Sequence, residues 1–129
     1  KPTKPFFEKG LWNVPASVSP WLRIPLFWLA FKNFPLWIYT LLAKRTLRKQ
    51  GFLNIYFHPW EFIDIRHYNL PRYTRNICGD ALVERLQKLL KSLKAEGDFM
   101  TMNDYAMSIM EQSTSSDVVK IFSDALAEE

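Results

Sequence analysis

The residue of this chain best suited to chemistry is His58, at the end of the run Phe52-Leu53-Asn54-Ile55-Tyr56-Phe57-His58-Pro59-Trp60-Glu61. An imidazole ordinarily titrates near pH ~6.5, so it can hold a proton at neutral pH and give it up. Pro59 crowds the residue before it out of the α region, which predicts an extended His58 closing a strand over Phe52 to Phe57. Alternation along that strand puts Asn54, Tyr56 and His58 on one face and Leu53, Ile55 and Phe57 on the other. The second face is apolar and suits packing against helices. Glu61 has two readings, a carboxylate that orients His58 or its loop, and a solvated or backbone-capping one. His58 itself has a plain alternative, a histidine that caps the strand and hydrogen-bonds the following loop. The other histidine, His67, lies between Arg66 and Tyr68 and is expected to be exposed. A metal needs three or more converging ligands, and two histidines across an aperiodic loop do not supply them. Cys78, without a second cysteine, is read as a buried small apolar group. No Gly-x-Ser-x-Gly is present, and Cys78 has no patterned base, so a serine or cysteine nucleophile has no support.

Tyr56-Phe57-His58-Pro59-Trp60-Glu61 resembles the histidine motif near the C-terminal end of the polysaccharide deacetylases, the NodB-type metal-dependent carbohydrate de-acetylases. The likeness is to a bacterial branch that continues the histidine as His-Pro-Trp-Glu. Three further stretches match that branch in order. Leu11-Trp12-Asn13-Val14-Pro15 is similar to its Trp-Glu-Val-Pro segment, Arg75-Asn76-Ile77-Cys78-Gly79 to the approach to its next helix, and Phe99-Met100-Thr101-Met102 to its last short strand. Two positions depart from the pattern: Asn13 stands where Glu is expected, and Tyr56 where many members outside the branch have Leu.

The resemblance implies an α/β fold, the C-terminal half of a (β/α) barrel of the NodB type, and hydrolysis of N- or O-acetyl groups on an acetylated polysaccharide or oligosaccharide. In such a family the histidine is the acid that protonates the departing group, so His58 is the implied catalytic residue, at a strand end on the barrel rim. Tyr56 and Trp60 would offer faces for a sugar ring, although Trp60 is equally a buried anchor for its loop. Glu61 would be a supporting residue. The family's divalent metal, zinc by resemblance, is held by Asp and His residues of the N-terminal half. This chain lacks that pattern and is expected to bind no metal alone, its partner being the remaining N-terminal part of the domain.

Length and composition agree with a part of something larger. A chain of 129 residues suffices for one domain but is small for a barrel enzyme. Opening on Lys1, it reads as an excerpt or a processed product. A content of 48% hydrophobic and 16% aromatic residues excludes disorder and predicts more apolar surface than such a domain hides. The net charge of +4 is mild, and no nucleic-acid-binding motif accompanies it. Its basic cluster, Lys44-Arg45-Thr46-Leu47-Arg48-Lys49, suits a solvated helix C-terminus. Association with anionic lipid or glycan is the other reading, and a non-catalytic interaction domain at a membrane or glycan surface is the alternative function.

The elements that must position His58 follow from periodicity and punctuation. Residues 1–10 read as a lead-in loop and Leu11 to Ser19 as a strand. Ile24 to Ala43 has the length of a membrane span, but Lys32, Asn33 and Pro35 interrupt it. It is read instead as core or subunit interface: a short turn or helix near Leu26 to Phe31, then a helix from Pro35 to about Lys49 stopped by Gly51. Trp12, Trp21, Trp28 and Trp37 are expected in core or interface. Phe62 to Arg75 is expected to be a loop. Asp80 is expected to cap a helix ended by Gly97, with Leu82, Val83, Leu86, Leu89, Leu90 and Leu93 inward and Glu84, Arg85, Lys88 and Lys91 outward. A strand Phe99 to Met102, a helix from Asp104 to about Met110 capped by Asn103, a break at Ser113 to Ser116 and a helix Asp117 to Leu126 complete the reading.

Overall fold

Lys9 and Gly10 both take left-handed backbone angles, φ 53° and 80°, as a tight two-residue hairpin turn requires. The turn joins β1 (Phe6–Glu8) to β2 (Leu11–Asn13) in antiparallel register, with Phe7 opposite Trp12 and their rings 5.6 Å apart. Residues 1–10 are therefore not a plain loop. Strands this short show no period, which is why the pairing escapes a reading by alternation. The computed structural model describes residues 2–127, with side chains to residue 115. Residues 1–97 and 98–129 form two compact units.

In the first unit, α1 (Trp28–Asn33) and α2 (Leu36–Gln50) split the long apolar stretch at Phe34 and Pro35. No helix among the described residues is long and apolar enough to cross a membrane. Pro35 occupies the cap of α2 rather than its first turn, and Gly51 ends the helix in the left-handed conformation that L side chains resist, its N–H on the Leu47 carbonyl. After α3 (Arg72–Arg75) comes α4 (Asp80–Lys94), which packs on α2. Gly79, at φ 58°, takes the cap expected of Asp80, which becomes the first helical residue.

The core joins Leu26, Ala30 and Phe31 to Tyr39 and Ala43 of α2 and to Leu82, Leu89 and Leu93 of α4. Arg85 does not point outward as expected. Its guanidinium donates to the Phe31 and Phe34 carbonyls at the end of α1 and lies over the Phe31 ring, tying α1 to α4. Asn33 Nδ2 donates to the Tyr73 carbonyl at 2.9 Å and ties α1 to α3. Val83 is on the open side of α4, and Trp21 (90% exposed) and Trp37 (70% exposed) lie outside the core of this chain. Lys44 and Arg48 of the basic cluster pair with Glu96 at 3.2 and 2.7 Å, so part of that charge is neutralised within the fold.

The segment 52–57 is not a paired strand, and the parallel βα arrangement expected around it is not formed by the described residues, whose one sheet is the β1–β2 hairpin. A parallel strand needs strands beside it. This segment instead meets residues 14–17, where Ser17 N–H donates to the Asn54 carbonyl, Asn54 N–H to Ser17 Oγ, and Asn54 Nδ2 to the Val14 and Pro15 carbonyls. The strand expected over Leu11 to Ser19 shortens to β2 for a related reason: Pro15 cannot donate to a ladder, and the Ser17 N–H is spent on residue 54. Side-chain alternation survives, since Leu53, Ile55 and Phe57 all pack on the helical core.

The second unit is α5 (Met102–Ala127). The helix runs through the end expected near Met110 and the break expected at Ser113 to Ser116; the strand expected at 99–102 is not formed, residues 99–101 having no regular structure and Met102 belonging to α5. Thr101 Oγ accepts from the Asp104 N–H at 3.1 Å and donates to its carboxylate at 2.7 Å, and so caps the helix in place of Asn103. Ser113 and Thr114 turn their hydroxyls onto the carbonyls of Ile109 and Met110, so the polar run continues the helix instead of breaking it. The side chains of the expected helix Asp117 to Leu126 lie outside the described residues.

Candidate functional site

His58 closes the extended segment with φ −103° and ψ 140°, the conformation that Pro59 favours in the residue before it. Pro59 then opens a 3-10 turn (Pro59–Phe62). One tight turn carries Glu61 back to His58. Glu61 Oε1 accepts from the His58 backbone N–H at 3.1 Å and lies 2.7 Å from His58 Nδ1. A carboxylate only accepts hydrogen bonds, so with Glu61 ionised the imidazole donates to it from Nδ1. Nε2 is the nitrogen left to exchange a proton with a ligand.

The pair is asymmetric in burial. Glu61 is 0% exposed, whereas the His58 side chain is 42% exposed. Glu61 meets both readings at once, since its Oε1 caps the His58 backbone N–H and faces the ring at Nδ1; only the solvated carboxylate is excluded. The 3-10 turn is itself held from outside: α4 packs on it, and Gly79 N–H donates to the Glu61 carbonyl at 3.4 Å. A Cβ at Gly79 would make ordinary van der Waals contact, 3.6 Å from the Asp64 backbone nitrogen.

Aromatic rings surround the imidazole. Trp60 stacks on it at 5.6 Å and 19°, while Tyr56 and Trp28 meet it edge-on at 5.8 and 5.7 Å. Tyr56 also stacks on Phe27, and Trp28 meets Trp60 edge-on. Trp60 and Tyr56 remain 40% and 44% exposed. Neither is a buried anchor, and the four residues singled out by sequence, Tyr56, His58, Trp60 and Glu61, form one cluster. His67 is exposed and stands apart from the cluster, near Asp64. The Arg66 guanidinium, 2.6 Å from the Asp64 carboxylate, holds that group well below the usual carboxylate range. Cys78 is buried, its thiol 3.8 Å from Asp64 Oδ1.

Two members of the site escaped sequence reasoning: Trp28 and Lys32, both on α1. Lys32 is 1% exposed, and its Nζ lies 5.8 Å from the Trp28 ring centre and 6.0 Å from that of Trp60. Burial lowers its pKa, against the opposing pull of the Glu61 charge and, more weakly, of Cys78. A signal was present. A lone lysine inside an apolar stretch must be paired or functional when that stretch is core, because an uncompensated buried ammonium is costly.

The described residues contain no group of three His, Cys, Asp or Glu side chains placed to hold a metal ion. No protein-family model, curated protein or solved structure matches this chain.

Proposed function

We propose that the chain is the C-terminal portion of a metal-dependent carbohydrate de-acetylase in which His58 is the general acid. The observation that carries this reading is the His58–Glu61 pair, a half-exposed imidazole whose Nδ1 is anchored at 2.7 Å on a fully buried carboxylate. Such a ring has a fixed orientation and one working nitrogen. As the bond between the acetyl carbon and the sugar nitrogen or oxygen breaks, the Nε2 proton passes to the departing atom and the bonding electrons go with it. The imidazolium becomes neutral imidazole and keeps its Nδ1 proton on Glu61. The exposed faces of Trp60 and Tyr56 suit the apolar face of a sugar ring. The residues present do not fit the divalent metal of such enzymes, so in this proposal it belongs to the rest of the domain. Strands from that part would flank the extended segment 52–57 and complete the barrel.

The test uses the protein that includes the metal-bearing part. His58→Ala should lower kcat by roughly 10²–10⁴-fold while leaving KM and metal affinity little changed. Near-normal turnover in a destabilised variant would remove His58 from the mechanism.

One observation favours a second reading, an interaction domain at a membrane surface. Trp21 and Leu22, 90% and 75% exposed, sit in a turn between Ser19 and Ile24 that three hydrogen bonds hold closed, Ser19 N–H to the Ile24 carbonyl, Arg23 N–H to the Ser19 carbonyl and Ile24 N–H to Ser19 Oγ. Co-sedimentation with anionic vesicles that Trp21→Ser abolishes would support it, and no binding would discard it.

A further inference from the structure

Glu61 uses only one of its oxygens on His58. Its other oxygen, Oε2, and the Nζ of Lys32 are both buried, and neither has a hydrogen-bond partner among the described residues. The opposite charges feel each other: Glu61 is the principal charge acting on Lys32. They also share a wall, because the Trp28 and Trp60 rings beneath Lys32 Nζ are the rings against His58. Burying one charge alone is far costlier than burying two that compensate.

We propose that Lys32 is a positioning residue for His58, acting through Glu61: its ammonium keeps Glu61 a carboxylate, and the carboxylate keeps the imidazole proton on Nδ1. Lys32 touches no substrate in this account. Without its charge the buried carboxyl takes up a proton and donates it to Nδ1, and the ring's own proton moves to Nε2. The device rests on the reading of His58 as a proton donor for its use, but not for its existence.

Nitrogen-15 NMR of histidine-labelled protein reads the ring proton directly, with His67→Gln assigning the second histidine. Above the imidazole titration, the wild-type protein is expected to carry its His58 proton on Nδ1. Lys32→Met should move it to Nε2, and Lys32→Arg, which restores a cation, should return it to Nδ1. A folded Lys32→Met protein with the proton still on Nδ1 overturns the proposal. If Lys32→Met does not fold, the same coupling is read from the other side. Glu61→Gln should shift the Lys32 titration, followed at its Cε, further below the ordinary lysine value, and an unmoved titration overturns the proposal. Failure of the de-acetylase reading looks different: His58→Ala would leave turnover of the complete enzyme intact while the Lys32-dependent change in His58 persists.

Discussion

Replacing Glu61 by alanine tests whether the buried carboxylate organises this site. The substitution removes Oε1, which accepts from the His58 backbone N–H at 3.1 Å and is hydrogen-bonded with His58 Nδ1 at 2.7 Å. It also leaves Lys32, 1% exposed, without its principal counter-charge. Removing one member of a buried compensating pair costs ~3–5 kcal/mol, and this range already includes the ~1.5–3 kcal/mol of a lost charged hydrogen bond. A central value of about 4 kcal/mol lowers the melting temperature of a unit this size by about 16–32 °C. Glu61→Gln keeps the shape and an acceptor oxygen and loses only the charge, so about half that effect is expected. Urea unfolding followed by tryptophan fluorescence gives both values, read as a shift in midpoint at constant slope. A Glu61→Ala loss below about 1 kcal/mol at unchanged slope would refute the argument, because it would mean that neither His58 nor Lys32 depends on this carboxylate.

Tyr39 is buried, its hydroxyl has no hydrogen-bond partner among the described residues, and burial pushes its pKa well above the ordinary 10.0. A phenol whose folded pKa is raised contributes fully below the unfolded value of 10.0 and loses that contribution as pH rises through the folded value. Tyr39→Phe should therefore flatten the loss of stability above pH 10.0 and be neutral or stabilising by up to about 1 kcal/mol at neutral pH, checked by urea midpoints across the range. A clear loss at neutral pH would reveal a hydroxyl that is bonded after all. Gly79→Ala puts a Cβ on a backbone at φ 58°, and should cost ~1–3 kcal/mol in the same assay, with Ser at Gly97, where a Cβ meets nothing, as the mild control.

Sequence alone determined the local features of this protein, wherever a residue's own covalent chemistry decides the outcome. Pro59 sets the extended His58 and opens the turn that follows; Gly51 stops α2; alternation sends Leu53, Ile55 and Phe57 inward; helical spacing buries Leu82, Leu89 and Leu93. The residues named as a candidate site, Tyr56, His58, Trp60 and Glu61, are close in the chain, and a tight turn brings them together, which α4 and the Gly79 N–H then hold. Tertiary structure decided whatever depends on a partner far along the chain. Whether 52–57 becomes a strand depends on what lies beside it, and in this chain that is the segment 14–17 rather than another strand. Lys32 was the hardest to place, because a lysine in an apolar stretch reads as an interruption until the fold sets it against Trp28, Trp60 and the charge of Glu61. A charge tolerates burial only beside its complement, and that complement arrives from a different element of the chain.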